Sequence, residues 1–518
     1  IAAYLMATDH TRIGRLLISF SAIFAIGAAA EGALLGAERI SSSSSLVDAG
    51  ILVQLFSAFR FDLIFAVGAP LMLGIAVAIV PMQIGARSLA FARGAQFGFY
   101  LWLFGVVLVG SSYLNNGGPG GGNADMVDLF LVGLGLVIAG LTVISASVAT
   151  TVLTSRRAGM TLMEAPIFSW SALIASLSLI FTLPVMAGAL IFVAVDHTYE
   201  RATFGATQGV NAWIGWAFTA PQIFIIAIPT LGILAQIVAT MTRGKQPLRA
   251  GLFVGVGLMS VTVIGSVTQS SFSANFSGGL SEIAKSLIPF LFFNAFSILG
   301  VLIVLGLCLL ALKNEKAKPT APFVPAFLGV GMVLTGMVGN AAHKISNFGL
   351  VNTVFEEAVL VYICYGVLLS SLGAVAHFGP RIWGREIPSK AVVGLGLLGF
   401  VATVLASLPY FIAGFADQPS GVADGFNYSG PAWLWNSLVA AGHGLMALVV
   451  LLSVALATKS FRSGKVSTAT SVMMAPTSQY RWVNVSISCA PFAAGQLLPV
   501  LPVLLPDNGQ AGASGSHE

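Results

Sequence analysis

The 518-residue chain is 57% apolar and only 8% charged, with a mean hydropathy of +0.92. Soluble globular domains carry about 25% charged residues, so this composition excludes a large soluble domain and points to lipid. The formal net charge of +5 is spread over short loops instead of being gathered on one face, which argues against nucleic acid as a partner.

In chain order, apolar stretches occupy residues 14–38, 51–80, 95–115, 127–153, 165–195, 209–242, 250–272, 286–312, 321–341, 350–378, 391–414 and 432–457. Each is long enough to cross a ~30 Å hydrocarbon core as a helix rising ~1.5 Å per residue. The expected fold is all-α, a polytopic membrane protein of about 12 transmembrane helices.

The gaps between these stretches sort by charge. Arg12 precedes the first stretch and Arg15 lies at its start. Arg87/Arg93, Arg156/Arg157, Arg243/Lys245/Arg249, Lys313/Lys316/Lys318, Arg381/Arg385/Lys390 and Lys459/Arg462/Lys465/Arg481 then fill every second gap. The alternate gaps hold Arg39, Arg201, Lys285 and Lys344, and Arg60 lies inside the second stretch. Cytoplasmic loops retain Lys and Arg, so both termini are expected on the cytoplasmic side.

The Ser41–Ser45 and Gly117–Gly122 runs read as outer loops, because the glycines lack the flanking strand and helix start of a phosphate cradle. Cys308, Cys364 and Cys489 have no metal-like spacing and give no disulfide framework. Nothing resembles a cleavable signal. Residues 1–460 are expected to form one twelve-helix domain. Residues 461–518 form a C-terminal tail, whose apolar part from Leu497 to Leu505 is interrupted by Pro499 and Pro502 and followed by Pro506. It is too short to span and is expected on the membrane surface or against a partner.

Four stretches carry a resemblance. They are Asp9-His10-Thr11-Arg12-Ile13-Gly14; Val80-Pro81-Met82-Gln83-Ile84-Gly85-Ala86-Arg87 with Ala90-Phe91 and Arg93; Gly159-Met160-Thr161-Leu162 with Pro166, Phe168 and Trp170; and Pro221 with Ile228-Pro229 and Gly232-Ile233. Over residues 9–460 the chain resembles subunit I of the haem-copper oxidases, the twelve-helix core of cytochrome c oxidase. The resemblance implies a multi-pass protein of a bacterial-type cytoplasmic membrane. It also implies partners among other respiratory or electron-transfer subunits, such as oxidase subunits II and III or a cytochrome, together with lipids.

In that family six histidines hold two haems and a copper ion, because imidazole is a neutral nitrogen donor suited to both metals. The resemblance places none of the six here. The low-spin haem ligand falls at or beside Phe59. The family's His-Pro-Glu-Val-Tyr reads Ala220-Pro221-Gln222-Ile223-Phe224, the His-His pair falls near Thr268 and Gln269, and the His-Phe-His falls at Val359-Leu360-Val361. The Arg-Arg clamp of the haem propionates aligns with Asp417-Gln418, and an acid there repels a propionate. The proton-channel Asp and Asn align with Ser88 and Ala95. The six histidines present are His10, His197, His343, His377, His443 and His517; none sits at a ligand position, and a lone histidine in a late helix reads as a packing residue. Haem and copper are therefore expected to be absent, with lipid or quinone as candidate occupants of the interior.

Voids are costly, at roughly 24 cal/mol per Å3, so bulky replacements are expected, among them Phe59, Phe61 and Phe65. Intramembrane charges need partners. Arg60 and Asp62 in the second stretch, and Glu356 and Glu357 in the tenth, lean towards the low-spin haem position, and Arg60 is expected to pair with at least one of the three acids. Glu31 reads as a lone acid near a helix end. These residues form either an ion-pair network that replaces a cofactor as helix-to-helix glue or a proton or cation relay.

Three functions follow. The first is a non-catalytic relative of oxidase subunit I that keeps the scaffold as a partner-binding subunit of a respiratory or electron-transfer complex. The second is a conduit for protons, ions or a small molecule through the emptied core. The third is an oxidase with unusual metal ligation.

Overall fold

The computed structural model describes residues 8–41, 46–119, 121–200, 220–244, 248–268, 272–277, 279–423 and 431–465. Among these, twelve helices are long and apolar enough to cross a membrane. They are α1 (His10–Glu38), α2 (Ile51–Ile84), α3 (Ala92–Leu114), α4 (Ala124–Thr154), α5 (Ile167–Thr198), α6 (Gln222–Met241), α7 (Arg249–Thr268), α8 (Leu280–Asn314), α9 (Phe323–His343), α10 (Phe355–Trp383), α11 (Ser389–Phe415) and α12 (Ala432–Ser463). The all-α polytopic expectation holds.

Helix ends are set by local chemistry. The Asp9 carboxylate accepts from the Thr11 N–H and caps α1, which therefore starts four residues before its apolar stretch. Gly85 closes α2 at φ +72°, a left-handed conformation suited to glycine. α8 begins at Leu280, earlier than its apolar stretch, and no residue of Leu280–Phe290 is fully buried. The sixth helix is described only from Gln222, and the 466–518 part of the expected tail lies outside the described residues.

Every fourth helix is an inner one. The apolar windows of α2, α6 and α10 are 100%, 94% and 83% buried, whereas those of the other helices are 33–56% buried. A helix apolar on all faces belongs inside, and its neighbours turn one side to lipid. α6 packs against α2, α5, α7, α8, α9 and α10, and α12 packs back on α1 to close the bundle.

Small residues let backbones approach. A Cβ at Gly366 of α10 would lie 2.7 Å from the Gly329 carbonyl oxygen of α9. The loop signatures are also contacts. Ser169 donates to Gln83 Oε1 at 2.7 Å, the Arg157 N–H donates to the Ile84 carbonyl at 3.0 Å, and Arg249 donates to the Ala165 carbonyl at 2.7 Å. The second and third signature stretches thus lock α2 to α5 at the basic face.

Candidate functional site

Arg39 and Glu357 form a buried two-bond ion pair on the face opposite the basic loops. Arg39 ends α1 and Glu357 sits in the first turn of α10. The guanidinium donates to Glu357 Oε2 at 2.7 Å and to Oε1 at 2.8 Å, to the Tyr410 hydroxyl at 3.0 Å, and to the Val422 carbonyl at 2.9 Å. Glu357 Oε1 also accepts from the Gly421 N–H at 3.2 Å, and the Phe56 ring lies 4.7 Å from the guanidinium carbon. Burial alone would lower the Arg39 pKa, but the Glu357 charge and Tyr410 reverse that, leaving it above its ordinary value. The Asn436 amide donates to the Arg39 carbonyl and receives the Gln418 amide on its Oδ1. The segment carrying Asp417-Gln418, where the resemblance puts the propionate clamp, thus folds over an internal ion pair.

This corrects the expectation for Arg60. Arg60 lies within electrostatic range of Glu356 and Glu357, but the contact partner of Glu357 is Arg39, and that of Glu356 is His343, at 3.0 Å. Arg39 was hidden because its sequence position is that of an ordinary outer-gap cation. Asp62 does not join either acid. It opens a π-helical segment, Asp62–Gly68, and interacts electrostatically with Glu31. Glu31 is therefore neither isolated nor at a helix end, since it lies about two turns inside α1.

One turn before that segment, Phe59 is buried and meets the His443 ring edge-on, with centroids 5.5 Å apart. His443 Nδ1 lies 2.6 Å from the Tyr365 hydroxyl. A Cβ at Gly32 would lie 2.7 Å from the same nitrogen, so α1 leaves room for the imidazole only with glycine there. His443 of α12 thus meets Phe59 of α2, Tyr365 of α10 and Gly32 of α1. Deeper in α2, Trp102 donates to the Phe65 carbonyl at 2.8 Å, inside the π-helical segment.

A second interior site is a cavity of about 180 Å3 among α6, α7, α8, α9 and α10. Ala220 and Val359, two of the positions where the resemblance places ligands, line it; Val361 is buried, 2% exposed. α7 presents Thr262, Gly265 and Ser266 to the cavity, while Thr268 is exposed and donates to the Ile264 carbonyl at 2.9 Å. Gln269 lies outside the described residues. Asn340 donates to Asn294 Oδ1 at 3.3 Å, and Glu356 Oε1 accepts from the Asn352 N–H at 2.7 Å beside its contact with His343. Lys344, also lining the cavity, has its pKa lowered by burial against an opposing pull from Glu356. The roof is a strap in which the Ala274 N–H donates to the Lys344 carbonyl at 2.7 Å and the Ser346 N–H to the Ala274 carbonyl at 2.9 Å.

Fold and sites define a polytopic helical membrane protein of three inner and nine outer helices among the described residues, with polar groups concentrated inside at one face. The family model described as "Cytochrome C and Quinol oxidase polypeptide I" matches residues 12–446, and the chain belongs to that family. "Cytochrome c oxidase subunit 1" of Bacillus sp. (strain PS3) is 26% identical over 428 residues, covering 77% of this chain and 68% of the relative. "Probable cytochrome c oxidase subunit 1-beta" of Nocardia farcinica is 26% identical over 498 residues, covering 89% and 80%. "Quinol oxidase subunit 1" of Bacillus spizizenii is 22% identical over 463 residues, covering 84% and 69%.

Proposed function

We propose that this family member is a non-catalytic, subunit I-like scaffold of a respiratory or electron-transfer complex in a bacterial cytoplasmic membrane, where it positions partner subunits. The observation that carries this reading is the ion pair Arg39–Glu357 over a packed Phe59–His443–Tyr365 core, where the resemblance puts the low-spin haem. A polar and aromatic plug holds the helices together without a cofactor.

The residues present do not fit haem and copper. Among the described residues, no group of three or more His, Cys, Asp or Glu could hold a metal ion. Phe59, Val359 and Val361 offer carbon where iron needs nitrogen. The second cavity, at about 180 Å3, is below the ~300–1,000 Å3 of cofactor-sized clefts. The conduit reading has less support, because Ile228, Leu231, Ile363 and Val367 along α6 and α10 are fully buried beyond the cavity.

An optical spectrum and iron and copper analysis of the chain purified from its native membrane test the proposal. The expected result is no stoichiometric haem or copper on this chain, together with co-purifying membrane subunits. One haem per chain would overturn it. Deleting the chain is expected to lower the yield of the assembled complex while leaving the spectrum per remaining oxidase unchanged.

A further inference from the structure

We infer that the proline-punctuated tail segment Leu497–Leu505 docks on its own chain, with its leucines seated in a cavity at the basic face among α6, α9, α10 and α11. This goes beyond the scaffold reading and stands or falls separately from it. A metal-free scaffold remains one whether or not its tail docks.

The tail starts at the cavity. The Glu386 N–H donates to the Lys465 carbonyl at 3.0 Å, Arg385 donates to the Gly464 carbonyl at 2.8 Å, and Ser460 donates to the Glu386 carbonyl at 2.9 Å. These bonds fix the end of α12 to the loop between α10 and α11. Glu386, Ile387 and Ser389 of that loop also line the cavity. Only residues 466–496 separate this anchor from Leu497. A tether of that length holds the segment near the cavity at an effective concentration on the order of 1 mM.

The cavity measures about 270 Å3. Thr320 and Ser389 in its lining are exposed, whereas Ile237 and Val392 are buried, so it is a cleft that side chains enter from the aqueous side. Ile237, Met241, Pro322, Ile387 and Val392 give it apolar walls. A cavity of about 150 Å3 takes up one benzene, so this cleft accommodates about two leucine side chains.

The segment matches such a cleft in chemistry and in period. From Trp482 to Pro506 no residue is charged, so its contact is apolar even though the face is basic. Pro499 and Pro502 oppose a regular helix and favour the extended polyproline conformation, which repeats every three residues. Leu498, Leu501 and Leu504 stand at that period and share one edge. Leu497, Val500 and Val503 fall on another. Polyproline carbonyls have no internal partners, and the hydroxyls of Thr320 and Ser389 at the mouth of the cleft are donors for them.

The test uses the full chain in lipid nanodiscs. With Ser389→Cys, maleimide labelling of position 389 is expected to be roughly tenfold slower than in the same chain carrying Leu498→Asn, Leu501→Asn and Leu504→Asn, the ratio of about 1 mM effective concentration to an intrinsic Kd of about 0.1 mM. Peptide mass spectrometry separates position 389 from Cys308, Cys364 and Cys489. The triple variant Leu497→Asn, Val500→Asn and Val503→Asn, on another edge, is expected to keep the protection. A benzophenone side chain in place of Leu501 provides a second readout, with cross-links expected within 237–241, 320–322 or 376–392. Equal labelling with and without the leucine edge, equal loss in the two triple variants, or benzophenone adducts confined to lipid or to other parts of the chain would each overturn the proposal.

Discussion

Arg39 and Glu357, 318 positions apart, meet in two hydrogen bonds of 2.7 and 2.8 Å, with the arginine side chain fully buried and that of Glu357 8% exposed. The pair joins the end of α1 to the first turn of α10 and is sealed by the segment around Gly421. Buried pairs of this kind are asymmetric in their energetics, because removing one partner strands the other charge.

Arg39→Met is therefore expected to destabilise the protein by about 3–5 kcal/mol, and Glu357→Leu by a similar amount. The double variant should lose far less than the sum, since neither charge is left behind. SDS-induced unfolding in mixed micelles, monitored by tryptophan fluorescence, reads this out. Additive losses would mean that the pair is not coupled.

Arg60→Gln provides the contrast. Arg60 acts on Glu356 and Glu357 only at electrostatic range, while the direct contacts of these acids are His343 and Arg39. Its removal is expected to cost no more than about 1 kcal/mol in the same assay. A loss matching that of Arg39→Met would contradict this arrangement.

Gly32→Ala pushes a methyl group into the His443 ring and is expected to cost about 1–3 kcal/mol through overpacking. His443→Ala removes the clash while leaving the Tyr365 hydroxyl without its partner. In that background Gly32→Ala should become nearly neutral. Thermal unfolding of the four proteins in the cycle measures the coupling, and equal effects of Gly32→Ala in both backgrounds would rule out the contact.

Trp102→Phe keeps an aromatic ring but deletes the donor to the Phe65 carbonyl. The expected loss is about 0.5–1.5 kcal/mol, read as a lowered unfolding midpoint with unchanged helical circular dichroism. No shift would place that carbonyl's hydrogen bond elsewhere.

The transmembrane architecture was legible in the chain because lipid imposes local rules. A span must be long and apolar, and the loop signatures around Gln83 and Ser169 sit at the ends of the spans they join. The burial of Phe59 was legible too, as a large side chain in a stretch that is apolar on every face. Which charges meet was not. Arg39 looks like any loop cation, and only the fold of residues 416–423 over the bundle end turns it inward to Glu357.

The same division holds for the acids and the cavity. Sequence spacing put Asp62 beside Glu356 and Glu357, but the π-helical turn begins at Asp62 and the acid interacts with Glu31 of α1 instead. The polar lining from Thr262 to Glu356 comes from four helices, of which none alone marks a site. The sequence by itself determined the number of spans, their apolar character and the family. Tertiary structure alone decided the ion pairs, the contacts among Phe59, His443 and Tyr365, and the polar cavity, because a buried charge or hydrogen-bonding group finds its partner through the packing of distant helices, which no local pattern encodes.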